Sequence, residues 1–208
     1  MIQELFWSSW WPGLLLWVAL YVSDYLCTII SVRAYRARAA GGITYEGSFE
    51  LTPYFQADID SLRWVSPRFI YMLVRSSAAL LLIWWLTHRS PEWSAAYEIV
   101  LGSLVLLEVT VHTRHLRNLY QFRTAFGPDG IRGNIYYPRA VMLRLSAFEM
   151  LVFAGLYLVL FLFTGSWFLL GGVPTCLVTA RRQAVLAKKA RNIPQPPGGI
   201  GKQIGLAP

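Results

Sequence analysis

In the run EVTVHTRH, Glu108, His112 and His115 follow one another at spacings of four and three. On a helix this spacing sets one carboxylate and two imidazoles on a single face. Oxygen and nitrogen donors of this kind suit iron, zinc or manganese, provided a second helix supplies another acid, Asp24 or Glu149. The same set could instead relay protons through His112, because imidazole titrates near neutral pH. Arg114 and Arg117 stand close by and would repel a cation, and the chain has neither HExxH nor a second Glu-x-x-His. Two histidines at the interfacial end of a helix are equally the mark of an ordinary membrane boundary.

A second group is defined by where its charges fall. Asp24 interrupts the apolar stretch YVSDYLCTII, and Arg75, Arg144 and Glu149 interrupt two others. Such positions need an explanation only if those stretches are buried in lipid. Composition indicates that they are. The 208 residues are 55% hydrophobic and 15% aromatic but only 14% charged, against about 25% charged in soluble domains. The nine tryptophans fit the same class, since indole favours the membrane–water interface.

Five apolar segments approach the length of about 20 residues that a helix needs to cross a bilayer. They run over 11–32, 69–87, 95–113, 140–163 and 167–179. The fifth is short and carries GGVPTC, so a four-span arrangement with a re-entrant last segment is the alternative. With five spans, sixteen of the nineteen basic residues fall on one side of the membrane. They are Arg33, Arg36, Arg38, Arg63 and Arg68 after the first span, Arg114 to Arg139 after the third, and Arg181 to Lys202 after the fifth. The positive-inside bias then predicts an outside N-terminus and a cytoplasmic C-terminus in a multi-pass protein of the cell (inner) membrane. It also accounts for the net charge of +8 without nucleic acid.

Other features fill in the organisation. Thr52 and Pro53 open a predicted amphipathic helix in which Leu51, Phe55, Ile59 and Leu62 share a face. Asp58 and Asp60 then read as solvated surface. The turn-rich segment at 126–138 predicts a hairpin, and the third span is expected to continue as helix through HTRHLRNLYQFR. Residues 1–192 form the membrane domain, and the Pro/Gly-rich stretch at 193–208 reads as a flexible tail. Cys27 and Cys176 read as buried core residues. Gly171, Gly172 and the small residues from Ser76 to Ala78 offer places for helices to approach closely. The pattern D24-x-x-x-T28 with a later ELTP is similar to that of many multi-span bacterial proteins, a likeness that implies no particular activity.

Depth along the spans follows from a rise of about 1.5 Å per residue. Counted from Arg33, Asp24 lies roughly 13 Å inside the cytoplasmic edge; Arg75, Glu108, Arg144 and Glu149 come out at roughly 8–15 Å, all in the same half. Only Glu98 lies nearer the outer face. A charge at mid-span costs on the order of 3 kcal/mol, so these groups should face inward and pair. The expected pairs are Asp24 or Glu149 with Arg75, and Glu108 with Arg144.

An all-α membrane bundle of five helices with a cytoplasm-facing charged cavity is thus expected. Three functions fit it. The first is a small transporter or channel component whose pathway for an ion, proton or small anion includes Asp24, Arg75, Glu108, Arg144 and Glu149. The second is a non-catalytic accessory subunit in which those charges only fix the packing. The third is an intramembrane metalloenzyme built on Glu108, His112 and His115. There is no P-loop, nucleophile elbow, dinucleotide fingerprint or CxxC, so no cofactor is predicted, a divalent metal being the alternative these residues allow. Five helices enclose little space, which favours a homo-oligomer or a place in a larger membrane complex.

Overall fold

Five long helices account for most of the chain, and each coincides with one of the apolar segments. The computed structural model describes residues 6, 8–124, 130 and 133–191. The helices are α1 (Trp10–Ala34, continued by a π-helical turn at Tyr35–Ala39), α3 (Pro67–Thr87), α4 (Ser94–Thr124), α5 (Arg139–Thr164) and α6 (Trp167–Arg191). A short α2 (Gln56–Asp60) and two three-residue strands, β1 (Ile43–Tyr45) and β2 (Ile135–Tyr137), lie between them. The class is all-α, and α1, α3, α4 and α5 are long and apolar enough to span a bilayer. α6 is 25 residues long, but its second half is basic, and it runs as unbroken helix through Pro174. The expected tail lies outside the described residues, as does most of the turn-rich segment before β2.

The helices end where local chemistry dictates. Ser66 caps α3, its hydroxyl accepting from the N–H groups of Arg68 and Phe69, with Pro67 at the first helical position. Gly165 ends α5 in the left-handed conformation (φ 66°), and α6 starts two residues later. This tight connection lays α6 antiparallel along α5. α6 in turn packs on α4, and α4 on α1, while α3 leans on α1 and α4.

Three apolar cores follow from that order. Leu106, Ala147, Met150, Tyr157 and Cys176 join α4, α5 and α6. Trp17, Leu80, Tyr97 and Leu101 join α1, α3 and α4, and Tyr25, Ile29, Ile59 and Phe69 join α1, α2 and α3. Cys176 is buried as expected, whereas Cys27 is only half-buried.

The hairpin expected over 126–138 falls largely outside the described residues. Ile135–Tyr137 pairs in parallel with β1, Ile43 opposite Ile135 and Tyr45 opposite Tyr137. The Tyr35, Tyr45, Phe49, Phe122 and Tyr137 rings cluster behind this pair. Glu46, just past β1, accepts from the backbone N–H of Arg139 at the start of α5, where an anion opposes the helix dipole.

The amphipathic segment is a shorter helix than the sequence predicts. Thr52–Phe55 is a turn, Phe55 rather than Thr52 is the N-cap, and Leu62 takes a positive φ of 54° two residues past the end. Asp58 is not solvated; it is 4% exposed and accepts from Ser66 Oγ at 2.7 Å, with Arg63 and Arg68 alongside. It therefore ties α2 to the cap of α3. Asp58→Ala is expected to cost about 1–2 kcal/mol of stability, by removing this acceptor from a buried hydroxyl. Chemical unfolding in detergent reads the loss directly, and an unchanged midpoint would show that the tie contributes nothing.

Candidate functional site

The α1–α4 seam brings the acids and imidazoles together. α4 turns by about 100° per residue, so Glu108, His112 and His115 stand on the face toward α1, and Arg114 and Arg117 face away from it. On α1, Ser23, Asp24 and Thr28 meet that face. Asp24 Oδ1 lies 2.8 Å from His115 Nε2, Ser23 Oγ lies 2.8 Å from His112 Nε2, and Thr28 Oγ1 lies 3.2 Å from His115 Nε2.

These bonds dictate the proton positions. A carboxylate only accepts, so His115 donates from Nε2 to Asp24. A carbonyl only accepts, so His112 donates from Nδ1 to the backbone oxygen of Glu108 at 2.7 Å. In neutral His112 this leaves a lone pair on Nε2, aimed at α1. Glu108 is 6% exposed, and its Oε2 has no hydrogen-bond partner among the described residues. His115 is 7% exposed with Nδ1 likewise unpartnered. One ligand atom from each of Asp24, Glu108 and His112 falls within 4.8 Å of the others.

Asp24, Thr28, Glu108 and His115 lie on the wall of a cavity of about 770 Å³ bordered by α1, α3, α4, α5 and α6, with Ser23 and His112 behind that wall. The segment after β1 reaches into it with Phe49, Glu50, Leu51 and Phe55. Glu50 holds its own loop together, Oε1 accepting from the N–H of Thr52 and its carbonyl accepting from Gln56. Burial pushes the Glu50 carboxyl up from its ordinary value; the Thr52 bond pulls it down, Asp24 pushes it up and His115 pulls it down. Glu50 thus feels both members of the Asp24–His115 pair.

Across the cavity, Glu149 on α5 accepts from Arg114 Nε at 2.6 Å and from Arg117 Nη1 at 3.0 Å. The pairs expected from the sequence are different ones. Among the described residues no ion pair joins Arg75 or Arg144 to these acids, and neither arginine borders the cavity. Both are exposed, with the Arg75 guanidinium 5.9 Å from the Tyr71 ring. Position along a helix is legible from sequence, but rotation about its axis is not, and rotation is what separates Arg75 from Asp24 and Glu149, and Arg144 from Glu108.

No protein family model matches the chain, and no curated protein or solved structure matches it either. The chemistry must therefore be argued from the site. Two carboxylates and an imidazole converging at a buried point can hold a cation, and the histidines beside them can exchange protons. The Ser23–His112 contact has the length of a nucleophile–base pair. It lies mid-helix, however, where the backbone N–H groups are spent on helical bonds and none is left to stabilise an oxyanion. Acyl transfer is not supported.

Sequence reading found Asp24, Glu108, His112, His115 and Glu149, and missed Glu50 and Ser23. Glu50 carried a signal, an acid set among the apolar residues of FELTPYF just before a Thr-Pro turn. Ser23 carried none.

Proposed function

We propose that this chain is a small integral membrane protein that handles a cation or proton, as a transporter or as a channel component. In this reading all five long helices cross the membrane, with the N-terminus outside and the C-terminus in the cytoplasm. The observation that carries it is the buried carboxylate of Glu108 beside Asp24, both on the wall of a large cavity, with one oxygen unpartnered. A buried charge is tolerated only when paired or when a ligand completes it. An anionic solute is less well served, because Arg114 and Arg117 are already engaged by Glu149, Arg75 and Arg144 lie outside the cavity, and the exposed Arg182 is the one further arginine among the described residues that borders it. Five helices leave little enclosed volume, so the working unit is proposed to be a homo-oligomer or part of a larger complex.

Asp24→Asn tests the reading in proteoliposomes loaded with pH-sensitive and divalent-sensitive dyes. The amide keeps the size of the side chain but not its charge. Flux is expected to fall by about tenfold or more, consistent with a lost site charge, while the melting temperature stays close to that of the parent. Full flux in the variant would rule out a pathway through Asp24. Lost assembly without any flux in the parent would point to an accessory subunit.

A further inference from the structure

We propose that the ion held at the α1–α4 seam is a first-row divalent transition metal such as Mn²⁺, Fe²⁺ or Zn²⁺, bound by Asp24, Glu108 and His112. This deepens the cation-handling reading and rests on the same cavity.

The donor set comes first. Donor atoms on one such metal, at bonds of about 2.0–2.2 Å, sit about 3–4 Å apart. The three ligand atoms here lie within 4.8 Å of one another, so small side-chain rotations bring them onto one ion. Two carboxylate oxygens and one imidazole nitrogen suit Mn²⁺, Fe²⁺ or Zn²⁺; all-oxygen cages suit Mg²⁺ or Ca²⁺, and thiolates suit Cu⁺. Cys27, three residues after Asp24, is not among the grouped donors.

The surroundings fit the same ion. His112 gives its Nδ1 proton to the Glu108 carbonyl, the arrangement that orients metal-bound imidazoles and leaves Nε2 as the ligand. Ser23 Oγ stands 2.8 Å from that nitrogen, and its single O–H can be given either to Nε2 or to the Leu20 carbonyl; turned to the carbonyl, it leaves Nε2 to the ion. His115 Nε2 donates to Oδ1 of Asp24, which orients the carboxylate as an outer partner would.

Charge gives an independent argument. Ionised as ligands, Asp24 and Glu108 carry two negative charges, which a divalent ion neutralises in full. Glu108 Oε2 is buried with no partner, as a ligand atom awaiting a cation would be. Arg114 and Arg117 point away from the α1 face of α4 and are paired with Glu149, so they do not occupy the site.

The test uses the full chain purified in detergent, stripped with a chelator and titrated with Mn²⁺ by electron paramagnetic resonance. One Mn²⁺ per chain is expected. Glu108→Gln and Asp24→Asn should each weaken binding by at least about tenfold, the scale of losses at a metal's coordination shells. Pulsed measurements should show coupling to an imidazole nitrogen that disappears in His112→Asn and persists in His88→Asn, His88 being the one other histidine besides His115. Absence of stoichiometric Mn²⁺, binding indifferent to both acid variants, or nitrogen coupling that survives His112→Asn would each overturn the assignment. Should Glu108→Gln fail to fold, Asp24→Asn and the nitrogen coupling of the parent still decide. Mn²⁺ bound without any flux would leave the site standing and remove the transport reading; proton flux without Mn²⁺ binding would do the reverse.

Discussion

Gly171→Leu is expected to prevent stable folding of the bundle, and Gly171→Ala to cost about 3 kcal/mol. Overpacking ordinarily costs about 1–3 kcal/mol, and that range assumes side chains that can move aside. At this crossing they cannot. A Cβ on Gly171 would fall against the carbonyl oxygen of Ile99 and the amide of Ser103, both backbone atoms of α4. A Cβ on Gly102 of α4 would fall against the backbone carbonyl of Phe168 on α6. The two helices thus meet backbone to backbone through reciprocal glycines, and Ser103 Oγ donates to the Gly171 carbonyl at 2.8 Å. Because α6 also carries α5, a wedge here would separate half the bundle from α1 and α4. Gly155→Ala is the control. Its site has nothing within 4 Å of an added Cβ, so helix propensity alone should make the change neutral or slightly stabilising. Denaturant titration in micelles, followed by circular dichroism, compares the three; equal midpoints for Gly171→Ala and Gly155→Ala would show that the helices are not in close contact.

Glu149→Gln should be the most damaging of the charge substitutions, at about 2–3 kcal/mol. Removing one partner of a buried ion pair costs about 3–5 kcal/mol, because the other charge stays behind without compensation. Arg114 and Glu149 side chains are 14% and 17% exposed and border a cavity, which places the effect below that range. Arg114 Nη2 is already buried without a partner, so the guanidinium has nowhere else to turn. Arg117 shares Glu149 but is 61% exposed, and Arg117→Ala should change stability by less than about 1 kcal/mol. Thermal unfolding of the two variants distinguishes a pair that holds α4 to α5 from two surface charges that happen to meet. A Glu149→Gln melting curve superimposable on the parent's would refute the first.

The proposed metal site and this ion pair lie on different faces of one helix, whereas in the sequence Arg114 and Arg117 read as close enough to repel a cation. Residues 108, 112 and 115 share a face because 3.6 residues make a turn; 114 and 117 then point elsewhere. The apolar runs with their ends and the helical course of HTRHLRNLYQFR were likewise legible, since each depends only on hydropathy and on local helical geometry. The partners were not. Asp24 meets His115 rather than Arg75, and Glu149 meets Arg114 and Arg117 rather than Arg75, because a helix apolar on nearly every side gives no period from which to read its rotation. That rotation is decided by contacts such as Gly102 on Phe168 and Gly171 on Ile99, which exist only once α4 and α6 have met. The reach of Glu50 into the cavity, the burial of Asp58 and the parallel pairing of Ile43–Tyr45 with Ile135–Tyr137 have the same origin. Local sequence determined which helices form and where along them the charges fall; contacts between residues distant in the chain decided which charges face each other.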